Sequence, residues 1–166
     1  GIPCVRMGDI VVGEVKALGL EVNEQNVGRI ATELREREGA GAIAKRCIPI
    51  IENELKMKGI VVVDGIRGMA EVEELKKVFG SDFCLVGVWA NPSQRYSRVS
   101  SRKRVDDAED YKRFREKDMR ELKWGAGEAL SLADHMIIND GTLEELREKA
   151  ARILRRIAGN EVAGRS

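Results

Sequence analysis

The chain has 166 residues, enough for one domain with a real core. Its 43% hydrophobic and 34% charged residues are those of a globular protein with a heavily ionised surface. The formal charge is only +1, which excludes a whole-molecule field steering the protein to nucleic acid or membrane, so any electropositive site is local. Cys4, Cys47 and Cys84 have no metal-ligand spacing, and each sits in an apolar run where a reduced thiol behaves as a small hydrophobe. The single histidine, His135, cannot build a histidine metal site. With no secretory leader pattern and no long apolar span, the expected address is the cytoplasm, without a membrane partner.

In chain order, a short strand is predicted over Ile2 to Met7, then a helix from near Asp9 to near Gly19. A second helix starts at Asn23 and carries Val27, Ile30, Ala31 and Leu34 on one stripe. A third carries Ile43, Cys47, Ile48, Ile51 and Leu55, with Pro49 expected to kink or interrupt it. Gly59 to Asp64 is a β-branched run bounded by glycine and reads as a strand, followed by a helix from Met69 to Phe79. Phe83 to Ala90 and His135 to Ile138 are two further strands. Their continuous apolar character suits parallel strands covered by helices on both faces. The last helix opens on a capping box, Thr142-Leu143-Glu144-Glu145, and carries Leu143, Leu146, Ala150, Ile153, Leu154 and Ile157. This alternation predicts an α/β fold with a parallel sheet over residues 1–158, a region of about 91–130 inserted as a lid, and a frayed tail at 159–166.

Chemistry is expected beyond the carboxyl ends of the strands, where open parallel sheets bind ligands. Asp64-Gly65-Ile66-Arg67 closes the second strand with a carboxylate suited to magnesium, a turn glycine and a phosphate-reaching arginine; a plain strand-end turn with a surface ion pair is the alternative. Gly8 and Asp9 close the first strand, and helix capping is the simpler reading of Asp9. After the third strand, Asn91-Pro92-Ser93-Gln94 is a helix start. That helix puts Arg95, Arg98 and Arg102 on one face. From Asn91 to Trp124 there are eleven lysines and arginines against seven acids. Such a cluster suits phosphoryl transfer, whose transition state spreads negative charge that guanidinium groups stabilise; a solvated helical face would look similar. Asn139-Asp140-Gly141-Thr142 is either a polar turn or a loop bordering a nucleotide base.

Taken in order, these landmarks resemble the adenylate kinase and dephospho-CoA kinase group of P-loop nucleotide kinases. Gly8-Asp9 resembles that group's glycine-aspartate at the head of the monophosphate-binding helix. Asp64-Gly65-Ile66-Arg67 resembles its aspartate-glycine turn and substrate-phosphate arginine, and Arg104-Val105-Asp106-Asp107 its lid motif. The order of the segments at 6–11, 26–29, 44–49, 62–67 and 133–139 is similar to an uncharacterised archaeal family related to those kinases. The resemblance implies a three-layer α/β/α sheet and an ATP- and magnesium-dependent phosphotransferase acting on a nucleotide-like acceptor. Gly8, Asp9 and Arg67 would hold the acceptor, Asp64 the magnesium, and Asn139 and Gly141 the nucleotide. Arg98, Arg102 and Arg104 would be the catalytic lid arginines.

Three departures accompany it. No G-x-x-x-x-G-K-[ST] loop occurs, and Gly39-Ala40-Gly41, set in a helical stretch, has the wrong pattern. Val12 stands where adenylate kinases carry an arginine, and the paired aspartates run on into Arg115-Glu116-Lys117-Asp118. The resemblance implies a central strand, phosphate-binding loop and helix, about 20–30 residues, absent from these 166 and lying between the second and third strands. Without that strand, inner sheet edges would stand unpaired. The rival expectation is a nucleotide-sensing protein that keeps the architecture without turnover. Scarce aromatics, 4%, and acids among the arginines argue against a nucleic-acid partner; a homodimer is left open.

Overall fold

The computed structural model describes residues 1–102 and 110–163. The expected alternation is present: β1 (Cys4–Arg6), α1 (Met7–Ala17), α2 (Glu24–Glu38), α3 (Ala42–Lys58), β2 (Val62–Asp64), α4 (Met69–Phe79), β3 (Val86–Trp89), α5 (Pro92–Arg102), α6 (Tyr111–Lys123), α7 (Ala126–Ser131), β4 (His135–Ile138) and α8 (Leu143–Ala163). The fold is α/β and mostly helical, with small parallel sheets. β1 pairs with β2 in the register Val5 to Val63, and β3 with β4 in the register Val88 to Ile137, each pair parallel. Among the described residues these remain two separate two-stranded sheets.

Helix starts follow the local chemistry. Asn23 caps α2 by accepting from the Asn26 amide at 2.9 Å, and Asn91 caps α5 through the Gln94 amide at 2.9 Å. The capping box of α8 closes both ways: Thr142 N donates to Glu145 Oε2 at 2.7 Å, and Glu145 N to Thr142 Oγ1 at 3.2 Å. The Asp110 carboxylate caps α6 at the Arg113 amide, 2.8 Å.

Several expectations are corrected. α1 begins two residues early, so Asp9 lies inside its first turn and caps nothing. Pro49 does not interrupt α3, because buried Ile43, Ala44, Cys47 and Ile51 hold that helix from both sides of the proline. Gly39-Ala40-Gly41 is no part of a helix: Gly39, at φ +92°, ends α2, and α3 starts after Gly41. Helix α8 outlasts its apolar stripe and runs to Ala163. The strands are not covered on both faces, since Val62, Val88, Met136 and Ile138 are exposed. Helices α6 and α7 were not foreseen as separate elements.

One core gathers Val5, Met7, Val11 and Val15 with Ile30, Leu34, Ile43, Cys47, Ile51 and Leu75, between α1–α4 and the first sheet. A smaller one joins Val72 of α4 to Leu85 and Ala129 beneath the second sheet. Where α4 starts, Gly68 lies against the main chain of Trp124, and a Cβ there would collide with the Trp124 carbonyl oxygen. That close approach brings the α6–α7 turn against the loop after β2.

Candidate functional site

Two cavities open on the side where the parallel strands end. The larger, about 280 Å³, lies past the ends of β3 and β4, with Val88, Ala90 and Asn139 in its wall. Arg67, Arg95, Arg98, Arg102 and Lys117 also line it. Three arginines therefore come from one face of α5, as their spacing predicts.

These guanidinium groups are held. Arg95 forms a bidentate pair with Asp118 of α6 at 2.6 and 2.8 Å, which raises the Arg95 pKa above its ordinary value against the opposing effect of burial. Arg98 donates to the carbonyls of Asn139 at 2.8 Å and Gly141 at 2.9 Å, tying α5 to the loop after β4. Gln94 adds a bond to the Asp140 carbonyl at 3.0 Å, while its own Oε1 is buried without a partner. Arg67 meets Glu121 of α6 at 3.0 Å.

The smaller cavity, about 110 Å³, lies over the start of α1, where Met7, Gly8 and Val11 face Ala31 of α2 and Gly65 of the turn. Trp124 forms a wall, with the Arg35 guanidinium 4.1 Å from its ring centroid. Arg120 lies on the same ring at 5.8 Å, is paired with Glu24, and keeps its Nε buried without a partner. Arg67, Lys117 and Glu121 line both cavities. The two spaces therefore meet at one ion pair.

The expected residues divide accordingly. Arg67, Arg98, Arg102 and Asn139 share the larger cavity, and Gly8 and Arg67 the smaller. Asp9 is exposed and lines neither. Asp64 is exposed at the end of β2, and among the described residues no group of three His, Cys, Asp or Glu forms a metal site. Gly141 has a local reason to be glycine, because a Cβ would collide with the capping carboxylate of Glu145. Arg104, Asp106 and Asp107 fall outside the described residues.

Sequence reasoning missed Arg35, Glu71, Glu121 and Trp124. Two left a signal. Arg35 stands four residues after Ala31, on the edge of the apolar stripe of α2, and Glu71 stands four before Leu75, on the buried face of α4. A charge on a core-facing stripe is the mark of a buried pair. Near it, burial raises the Cys47 thiol to about 11, helped by the negative charges of Glu71 and Asp9, so this cysteine is an inert core group.

No family model matches the chain. It is 49% identical over 160 residues to a UPF0200/UPF0201 protein of Archaeoglobus fulgidus, covering 96% of this chain but 50% of that relative. It is 44% identical over 156 residues to a UPF0200 protein of Methanosarcina mazei, covering 93% and 81%, and 39% identical over 159 residues to one of Methanocaldococcus jannaschii, covering 96% and 80%. The chain thus spans half the length of the Archaeoglobus relative and about four fifths of the other two. No described helix is long and apolar enough to cross a membrane. With its matches to these archaeal proteins running over almost its whole length, the chain belongs to the UPF0200 family.

Proposed function

We propose that the intact protein is an ATP- and magnesium-dependent phosphotransferase of the nucleotide-kinase type, acting on a nucleotide-like acceptor. The observation that carries this reading is the pair of cavities meeting at Arg67, the larger lined by four arginines and a lysine at the ends of parallel strands. Phosphoryl transfer between two bound phosphate groups needs such an arrangement: two sites in line, with positive charge concentrated where they join.

The sheet topology supports a further strand. β2 and β3 belong to different two-stranded sheets, and Val62, Val88 and Trp89 are exposed on them. One parallel strand laid between β2 and β3 would join the pairs into a five-stranded sheet, and a following helix would cover the exposed face. The phosphate-binding loop would sit between that strand and helix, close to Arg67. This is the three-layer architecture implied by the kinase resemblance, and the greater length of the relatives leaves room for it.

The chain's own residues fit the groups such an enzyme uses. Asp64 is exposed at the end of β2 and would be the carboxylate that holds magnesium. The arginines of α5 suit a polyphosphate, and the buried, unpartnered Gln94 Oε1 beside the 139–141 loop suits a base amino group. Magnesium, when bound, supplies charge neutralisation on the phosphates. Arg67 orients the acceptor phosphate from the shared wall, while the apolar floor of Met7, Val11 and Ala31 excludes water.

One observation favours a second reading, a nucleotide sensor without turnover. Arg67, Arg95 and Arg98 are each engaged by protein groups, as in a site that signals by exchanging internal partners for a ligand. The discriminating feature is an intact G-x-x-x-x-G-K-[ST] lysine in the natural full-length protein. That protein should melt at a higher temperature with ATP and magnesium, and should transfer the γ-phosphate to an acceptor. Residues 1–166 alone should do neither at enzyme rates. A thermal shift without transfer selects the sensor, and no shift with any nucleotide removes both readings.

A further inference from the structure

Glu71 is fully buried, at 1% exposure. A lone carboxylate in that position would be costly, and its partners say what it does. Oε1 accepts from Arg35 Nη2 at 2.6 Å, and Oε2 accepts from the backbone amide of Arg67, also at 2.6 Å. One carboxylate thereby grips both sides of the site: the α2 arginine stacked on Trp124, and the main chain from which Arg67 projects. Farther out, Arg67 is held more loosely. Its Nη1 reaches its own neighbour's carbonyl, Ile66 O, at 3.2 Å, and its Nε meets Glu121, whose side chain is 24% exposed beside an arginine 39% exposed. A partly exposed pair of that kind is held less firmly than a fully buried one.

We propose that Glu71 is a positioning residue: it fixes the base of Arg67 and the Arg35–Trp124 wall as one unit, leaving the Arg67 guanidinium free to exchange Glu121 for a phosphate oxygen. The proposal rests on the reading of Arg67 as a phosphate-binding residue. It also accounts for a charge buried on the core face of α4, where Leu75, one turn on, is wholly apolar and buried.

The test is a thermodynamic cycle on the natural full-length protein with inorganic pyrophosphate as the probe, followed by calorimetric titration. Glu71→Gln keeps the shape of the side chain and removes its charge. It should weaken pyrophosphate binding about tenfold when Arg67 is present and less than about twofold in an Arg67→Ala background, because the two act through one group. Equal weakening in both backgrounds overturns the positioning role. If Arg67→Ala alone leaves pyrophosphate affinity unchanged, Arg67 binds no phosphate, and the underlying reading falls with the proposal. Should Glu71→Gln not fold, the wild-type protein still decides the matter by NMR. The Arg67 amide, bonded to a buried carboxylate, should exchange slowly with solvent and stay protected when pyrophosphate shifts its side-chain Nε resonance. Rapid amide exchange, or an Nε resonance indifferent to pyrophosphate, overturns it.

Discussion

The two halves of the molecule are held together by different forces. Around α1, α2 and α3 the contacts are mainly apolar, with Val15, Ala44, Cys47 and Leu75 entirely inaccessible and the Arg35–Glu71 and Arg46–Glu14 pairs beside them. Around α5 and α6 they are polar. Phe114 is the one buried residue of α6, and the helix is joined to its neighbours by Arg95–Asp118, Arg67–Glu121 and Arg120–Glu24. Apolar burial is non-directional and is not screened by salt, whereas charge pairs can trade partners with a ligand. The difference therefore separates a platform, which carries Met7, Gly8 and Arg35 at the smaller cavity, from an adjustable cover made of α5 and α6.

The largest expected effect tests the platform. Leu75→Ala should cost about 4 kcal/mol of unfolding free energy, because the side chain is wholly buried in the main core and its loss leaves a cavity there. Leu85→Ala, in the small second cluster at 7% exposure, should cost about 2 kcal/mol. Equal losses in urea unfolding would abolish the distinction between the main core and the small second cluster. Next comes the joint between them. Gly68→Ala forces a methyl group into the Trp124 carbonyl, so it should destabilise by about 2 kcal/mol and shift Trp124 fluorescence, since the indole must move.

A smaller effect comes from Cys47. Its thiol, raised from 9.0 to about 11 by burial first and then by Glu71 and Asp9, keeps its proton in the folded state after the unfolded chain has released it. The folded state then binds more protons, so stability is whole below about pH 9 and declines as pH rises towards about 11. Cys47→Ala should unfold more easily at neutral pH yet show a shallower decline across that window. Parallel curves for the two proteins would mean that the thiol is not shielded by the platform.

How much of this was legible in the sequence follows the same division. Stripes such as Ile30, Ala31 and Leu34 on α2 revealed the platform, because burial imposes helical periodicity on an amphipathic element. Caps at Asn23, Asn91 and Thr142 were readable for a local reason, since each bond spans three residues. The cover was not readable in this way. Its composition marked Arg95, Arg98 and Arg102 as a cluster, but which acid meets which arginine depends on contacts such as Arg95 to Asp118, 23 residues apart, and Arg120 to Glu24, 96 apart. Glu71 and Arg35 stand as charges on core-facing stripes, but that they pair with each other shows only when α2 and α4 are brought together.

The smallest effect is the most direct test of an adjustable cover. Asp118 is 12% exposed and bonds Arg95 with both oxygens, with Arg115 at 3.6 Å as a weaker second partner. Asp118→Asn removes the charge but keeps one acceptor, so the loss should be about 1 kcal/mol rather than that of a fully buried pair broken. Arg95 also lies 5.3 Å from the Phe114 ring centroid and donates to the Ala90 carbonyl at 3.3 Å, so it keeps a place to rest. If charge holds α6 in position, the gap in melting temperature between wild type and Asp118→Asn should narrow in about 1 M salt, where the screening length falls to about 3 Å, while the gap for Leu75→Ala stays constant. A gap for Asp118→Asn that persists in salt would mean that Phe114 and its ring neighbours Tyr96 and Tyr111 fix the helix by packing, and the cover would then be as rigid as the platform beneath it.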